Sequence, residues 1–458
     1  MPGILRIGLL GCLALILALG ALCVAIPLHT TSVWDGIRGR MAPQVQHASG
    51  LYLALTDMDA ETANLLVFGD DPSLAAHRAQ ALKLYIQDRD TVSREWQGAT
   101  KAAGSDRAAQ AALVDILDGL GRYQEAASRA TSLNDQAHAS AGRPAPAALT
   151  AYRQATDLMR ISLLPAADRL ITTNDGSFTA AYNSERSFLA GIRVTALVLG
   201  LLVLAVLAVL QLFVTRSFNR IINPGLAAAT LLCVTVLGTA FFVAGDERES
   251  LRYARHDAFD SVVALSAARA VAYDANADES RNLLDPKRSG PYSAAFLDKS
   301  QRIARIEGAS LPTYSSDIEA AWEHYRSNHN DLRFTGYLGT EFRNITFTGE
   351  RAAAEKALEG WVAYQHDDQI TRGYLATGQL ARAIQFNTSW DKGGSNYHFG
   401  QFDDAMKSDV DINAAAFEHA VADGRSELNT ALIVIAGCTA LALALAAFGV
   451  RPRLAEFR

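Results

Sequence analysis

Hydrophobic and polar positions follow two regimes along the 458 residues. Four runs, 7–26, 194–214, 226–244 and 431–450, are rich in Leu, Val and Ala and contain no Asp, Glu, Lys or Arg. A helix needs about 20 such residues to cross the hydrocarbon core of a bilayer. Between the runs lie two long polar blocks, 27–190 and 245–427, in which apolar residues recur every three or four positions. Val45, Ala48, Tyr52, Leu55, Asp59, Thr62 and Leu66 form one such seam. Tyr152, Thr156, Met159, Leu163, Ala166 and Leu170 form another. This spacing marks helices that pack into bundles, and strand-like alternation is scarce. The expected fold class is all-α: a polytopic membrane protein with four transmembrane helices and two extracytoplasmic helical bundles.

Arginine placement gives the orientation. Arg6 precedes the first run, Arg216 and Arg220 lie in a short loop without acids, and Arg451, Arg453 and Arg458 face only Glu456 in the tail. Four spans bring these segments to one side, which the positive-inside rule makes cytoplasmic. The first run exceeds the usual 7–15-residue core of a signal peptide, and Cys23-Val24-Ala25 is a poor cleavage site, so it is read as a span. The expected order is a cytoplasmic N-terminus at 1–6, a span at 7–26, a bundle outside at 27–190 and a span at 191–214. A cytoplasmic loop at 215–225, a span at 226–244, a second bundle outside at 245–427, a span at 428–450 and a cytoplasmic tail at 451–458 complete it. This places the chain in the plasma membrane, multi-pass, with both termini inside and membrane lipid as a partner.

The formal charge of −6 divides unevenly, with −3 in the first block, −9 in the second and a positive remainder. No block is basic, which argues against nucleic-acid binding. All four cysteines, Cys12, Cys23, Cys233 and Cys438, lie inside apolar runs, so neither block has a disulfide framework. A weak internal repeat relates Glu61-Thr62-Ala63-Asn64-Leu65-Leu66 to Glu279-Ser280-Arg281-Asn282-Leu283-Leu284 at an offset of 218. Each copy falls on the first long helix after an odd-numbered span, so span–bundle–span reads as an internal duplication. Glu61, Asn64, Glu279 and Asn282 are its structural markers.

Local features give further expectations. Asp59 interrupts its seam, either as a polar residue that sets register or flanks solvent, or as a ligand contact. Pro165 should kink or break the second seam's helix. Asp70-Asp71-Pro72-Ser73 and Gly142-Arg143-Pro144-Ala145-Pro146 read as turns. The segment from Leu338 to Phe347 passes for a short strand, and His366-Asp367-Asp368 for a solvated polar face. The glycine- and aromatic-rich stretch from Trp390 to Phe399, with Trp390, Asn396, Tyr397 and His398, is either a ligand or partner region or a connector packed by its aromatics.

No catalytic signature occurs, and no titratable pair suggests a general acid and base, so no enzyme is expected. His324 and His329 lie five apart, poor spacing for two ligands on a helix, and no metal or cofactor is assigned. Segments of about six, eleven and eight residues inside the cell cannot form an output domain. A signal must then reach a separate cytosolic protein, with Arg216, Arg220, Asn223, Pro224, Arg451 and Arg453 as the coupling candidates. Their plainer role is to fix topology and contact phospholipid headgroups.

Three segments carry a family resemblance: Arg220-Ile221-Ile222-Asn223-Pro224-Gly225-Leu226, the tail from Val450 to Arg458, and Met159-Arg160-Ile161-Ser162-Leu163-Leu164-Pro165-Ala166-Ala167. With the four-span plan they resemble the GlnX-type membrane proteins of actinobacteria, which accompany an amino-acid-binding lipoprotein and a soluble Ser/Thr kinase. The resemblance implies a non-enzymatic transducer that relays extracellular glutamate, glutamine or aspartate availability. The lipoprotein is then the outer partner and a cytosolic kinase pathway the inner one. The alternatives are a structural or accessory subunit of an envelope or transport complex, and a receptor whose bundles bind the small ligand directly. Whether the chain forms homo-oligomers stays open.

Overall fold

The computed structural model describes residues 2–218 and 223–455 and is helical throughout, with no strand among them. The helices are α1 (Pro2–Gly36), α2 (Ala42–Phe68), α3 (Ala75–Ala103), α4 (Arg107–Gln136), α5 (Pro146–Leu158), α6 (Leu164–Phe218) and α7 (Pro224–Arg252). The second half supplies α8 (Asp260–Leu284), α9 (Ser289–Ile303), α10 (Tyr314–Ser327), α11 (Gly336–Asn344), α12 (Glu350–Ala376), α13 (Leu380–Asn387) and α14 (Ser395–Ala455). Three π-helical turns, Ile37–Met41, Met159–Leu163 and Tyr253–Phe259, interrupt the regular geometry.

The chain forms two compact units. One gathers Met1–Gly39, Phe178–Arg255 and Phe417–Arg458, and so contains all four apolar runs. Four helices are long and apolar enough to cross a membrane. Large side chains such as Leu10, Leu17, Val198, Leu201, Leu231 and Phe448 are exposed on them, while Cys12, Cys233, Ala229, Ala240, Ala442 and Ala446 are buried. Small residues inside and branched ones outside is the pattern of helices that pack in lipid. Asn223 caps α7 by accepting from the Gly225 N–H at 3.0 Å, and its amide donates to the Gly449 carbonyl at 2.8 Å. A Cβ at Gly225 would sit 2.7 Å from the Gly449 Cα.

The other unit joins Arg40–Ser177 to His256–Ala416, so most of both polar blocks share one body. α2 packs along both α3 and α8, α4 along α5, and α8 along α9. One core cluster gathers Leu51, Leu55, Met58, Val92, Ile116, Met159 and Leu163. A second is aromatic, around Trp361, Tyr364, Phe399 and Phe402. A third takes Leu65 and Leu66 from α2 and Leu283 and Leu284 from α8, so both leucine pairs of the sequence repeat sit in one cluster.

Three expectations need correction. Pro165 does not break its helix: the π-turn at Met159–Leu163 lies directly before it and widens the turn where the ring would clash. The segment read as a strand is largely helix α11, preceded by a single bridge between Arg305 and Thr335. Asp367 and Asp368 are buried rather than solvated, paired to His398 and Arg372 at 2.7 Å each. The expected turns form, with Asp71 capping a short 3-10 turn, Pro72–Leu74, and Pro146 starting α5.

Gly225→Val should separate α7 from α14, because the clash is with backbone that cannot rotate away. The full chain in lipid nanodiscs should melt several degrees lower, whereas Gly238→Val, at a site open to side chains, should leave the melting temperature nearly unchanged.

Candidate functional site

The C-terminal halves of α2 and α8 are buried on nearly every side, yet they carry Asp59, Glu61, Asn64, Asp274, Asp278, Glu279, Arg281 and Asn282. Polar groups withdrawn from water must find partners inside the protein. Arg281, with 0% exposure, supplies most of them. Its guanidinium binds Asp59 on α2 and Asp278 on its own helix, and reaches Asp274 at 3.2 Å. Lys299 on α9 binds Asp278 as well and lies 2.7 Å from Asp274. Asp59 also accepts from the Tyr123 hydroxyl at 3.0 Å and the Thr156 hydroxyl at 3.2 Å. Five charged side chains, three acidic and two basic, thereby connect α2, α8 and α9 with hydroxyls from α4 and α5. Asp59 is thus a buried, paired member of this network, the register-setting role, rather than a solvated flank.

A cleft of about 280 Å³ borders the network. Tyr52, Arg160, Leu164, Pro165, Asp168, Asp274 and Arg302 line it. Arg160 lies in the π-turn Met159–Leu163, a type of distortion that often re-aims side chains at functional sites. Arg160, Asp168 and Arg302 are exposed, whereas Asp274 is held by Arg281 and Lys299. Two guanidinium groups suit a carboxylate, Asp168 suits an ammonium, and the Tyr52 ring and Leu164 give an apolar wall. Larger grooves of about 630 Å³ along Arg122, Arg129 and Gln154, and about 900 Å³ between α12 and α14, share no residue with the network.

The structure disperses the residues singled out from sequence. Trp390 is exposed; Asn396 is buried and donates to the Thr388 carbonyl at 3.4 Å; Gln401 donates to the Tyr397 hydroxyl; His398 pairs with Asp367. None of them lines the 280 Å³ cleft. Glu61 accepts from Asn64 at 3.3 Å, and the Asn64 side-chain oxygen Oδ1 accepts from the Ser280 hydroxyl at 2.8 Å, so one repeat marker holds α2 to α8. Glu279 accepts from the Tyr364 hydroxyl, and Asn282 is buried beside it in sequence. Asn223 and Pro224 cap and start α7, Arg216 and Arg451 are exposed, Arg453 lies within α14, and Arg220 falls outside the described residues. Sequence reading missed Arg281 and Lys299. The only signal was Arg281 in the middle of the repeat motif, a cation inside an otherwise core-like run.

Truncating one member of a buried ionic network costs about 3–5 kcal/mol, since its partners keep their charge without compensation. Arg281→Met should therefore lower the melting temperature far more than Asp278→Asn, which leaves Arg281 with Asp59 and Asp274. Thermal unfolding of the full chain checks the order.

Burial pushes the Asp88 carboxyl on α3 up to about 7. An acid whose pKa is higher folded than unfolded stabilises fully below its unfolded value, near 4, and loses that contribution as pH rises through its folded value. Melting temperature should fall between about pH 5 and pH 8, and Asp88→Asn should make that fall shallower.

No curated protein and no solved structure matches the chain. Residues 33–183 are similar to the actinobacterial sensor domain, whose family model matches that segment.

Proposed function

We propose that the protein is a non-enzymatic membrane signal transducer, with the Arg40–Ser177 and His256–Ala416 unit outside the cell and both termini in the cytoplasm. The carrying observation is that Asp274 belongs both to the cleft and to the buried network. A ligand that engages Arg160 and Arg302 beside Asp274 changes the field on Arg281 and Lys299, and hence the balance of contacts between α2 and α8. A ligand with different affinity for two such packings shifts their populations. The chain passes between the two compact units four times, each time inside helical or π-helical structure.

The resemblance to a sensor domain supports sensing as the role. The chemistry of the cleft supports an α-amino acid such as glutamate, glutamine or aspartate, and its size suits one. The same signal arrives through an amino-acid-binding lipoprotein in the reading based on GlnX-type proteins; the exposed guanidiniums favour direct binding as the second route. A cytosolic Ser/Thr kinase pathway reads the state, through the loop at 215–225 and the tail at 451–458. The repeat at offset 218 supports an internal duplication: the π-turns Ile37–Met41 and Tyr253–Phe259 and the helices α2 and α8 fall at matching places in the two halves.

The test uses the full chain in nanodiscs with L-glutamate, L-glutamine and L-aspartate. Direct sensing gives a Kd that rises at least tenfold in Arg302→Gln, and about 2.7 kcal/mol of stabilisation at 100 times Kd. Binding only of an amino-acid-loaded lipoprotein identifies the relay route. The proposal fails if neither binds and deletion of the gene leaves the kinase's substrates equally phosphorylated.

A further inference from the structure

Away from the cleft, the carboxylates of Glu341 (α11), Glu350 (α12) and Asp409 (α14) converge, with one oxygen from each within 4.8 Å of the others. Glu350 and Asp409 have 0% exposure and Glu341 has 1%. Both oxygens of Glu341, both of Asp409 and Oε1 of Glu350 have no hydrogen-bond donor in good geometry. Only Glu350 Oε2 is satisfied, by the N–H groups of Thr346 and Phe347, which fixes its carboxylate at the start of α12. The Ser261 hydroxyl lies alongside Glu341.

Among the described residues no cation compensates this cluster. Arg343, on the same helix as Glu341, spends its terminal nitrogens on the Gly339 and Phe334 carbonyls at 2.7 and 3.2 Å. The charges acting on Glu341 and Asp409 come from other carboxylates in the cluster and are all negative. One turn along α14, Asn413 donates to the Asp409 carbonyl, while its own buried side-chain oxygen has no donor. Buried carboxylates of this kind must either take up protons or surround a positive ion. Two protons would lower the charge of the cluster from −3 to −1, but they would supply only two donors for these five oxygens.

We propose that Glu341, Glu350 and Asp409 hold one divalent, oxygen-preferring cation of the calcium class. Calcium accepts six to eight oxygens at about 2.3–2.6 Å in flexible geometry, so two oxygens on opposite sides of the ion stand about 4.8 Å apart. The three carboxylate oxygens all lie within that reach of one another, so one ion can touch each of them. Magnesium dehydrates reluctantly and usually keeps several waters, which three carboxylates with at most 1% exposure suit less well. With neither His nor Cys among the ligands, the site does not favour zinc or copper. The ion would bind α11, α12 and α14 together within the second polar block, where apolar packing alone leaves three carboxylates facing one another.

Equilibrium dialysis with radioactive Ca²⁺ on the full chain in nanodiscs, stripped first with chelator, tests this directly. The unmutated protein should bind one Ca²⁺ per chain, more tightly than Mg²⁺, and should melt several degrees higher with the ion. Glu341→Gln and Asp409→Asn should each weaken binding at least tenfold. Asp411→Asn, which removes an exposed acid paired to Lys407 on the same helix, should leave it unchanged. Absence of stoichiometric Ca²⁺ on the unmutated protein, or binding that both ligand variants retain, overturns the assignment.

Discussion

The guanidinium of Arg281 is the contact on which the unit joining Arg40–Ser177 to His256–Ala416 depends. It is buried and shared by Asp59 from the first polar block and Asp278 and Asp274 from the second. Placing a cation there costs several kcal/mol of lost hydration, recovered only if every partner is in position. Hydrophobic contacts between Leu65, Leu66, Leu283 and Leu284 would tolerate sliding of α2 along α8. The arginine does not, because a shift of one residue would separate it from Asp59. Apolar burial thus holds the two blocks together, and the ionic network fixes their register. The same property makes the network sensitive to a charge arriving at Asp274, the member that also lines the cleft.

The rest of the unit follows a related constraint: its interior contains more acid than base. Asp57 and Asp88 face each other from α2 and α3, Glu279 meets the Tyr364 hydroxyl, and Asp368 takes Arg372. Burial raises the Asp367 and Asp368 carboxyls, while His398 and Arg372 respectively pull them back. Where a basic side chain is at hand, the core closes as an ion pair. Where a hydroxyl is at hand, it closes as a hydrogen bond to oxygen. Glu341, Glu350 and Asp409 face one another instead, and five of their six carboxylate oxygens have no donor in good geometry.

Much of the fold was legible in the sequence because it rests on periodicity. The four apolar runs needed only composition, and both helical seams emerge as buried faces, with Tyr152, Thr156, Met159, Leu163, Ala166 and Leu170 all inside. The candidate site was far less legible. Arg281 and Asp59 are 222 residues apart, and no local pattern links an acid on one helix to a base on another. Helical spacing shows which face a residue occupies but not what it meets, so Asp367 and Asp368 read as solvated although a neighbouring helix supplies His398. Pro165 misled for a related reason: a proline disrupts only a regular α-turn, and the preceding π-turn had already relieved the clash.

The repeat places similar residues in the two blocks but does not give them similar work. At an offset of 218, Asp59 aligns with Ala277, Ala60 with Asp278, and Ala63 with Arg281. If both helices carried an arginine at that position, two guanidiniums would meet in one dry interface; if both carried alanine, Asp59 would lose its cationic partner. The alternation gives each charge a single counterpart across the α2–α8 contact. Glu61 and Glu279 diverge in the same way, one hydrogen-bonded within its own helix through Asn64 and the other held by Tyr364 from α12. An interface with unequal halves has one preferred packing and one cleft bordering its charges, whereas a symmetric one would present two equivalent sites. That asymmetry leaves Asp274, paired to Arg281 and Lys299, as the member of the network that lines the cleft with Arg160 and Arg302.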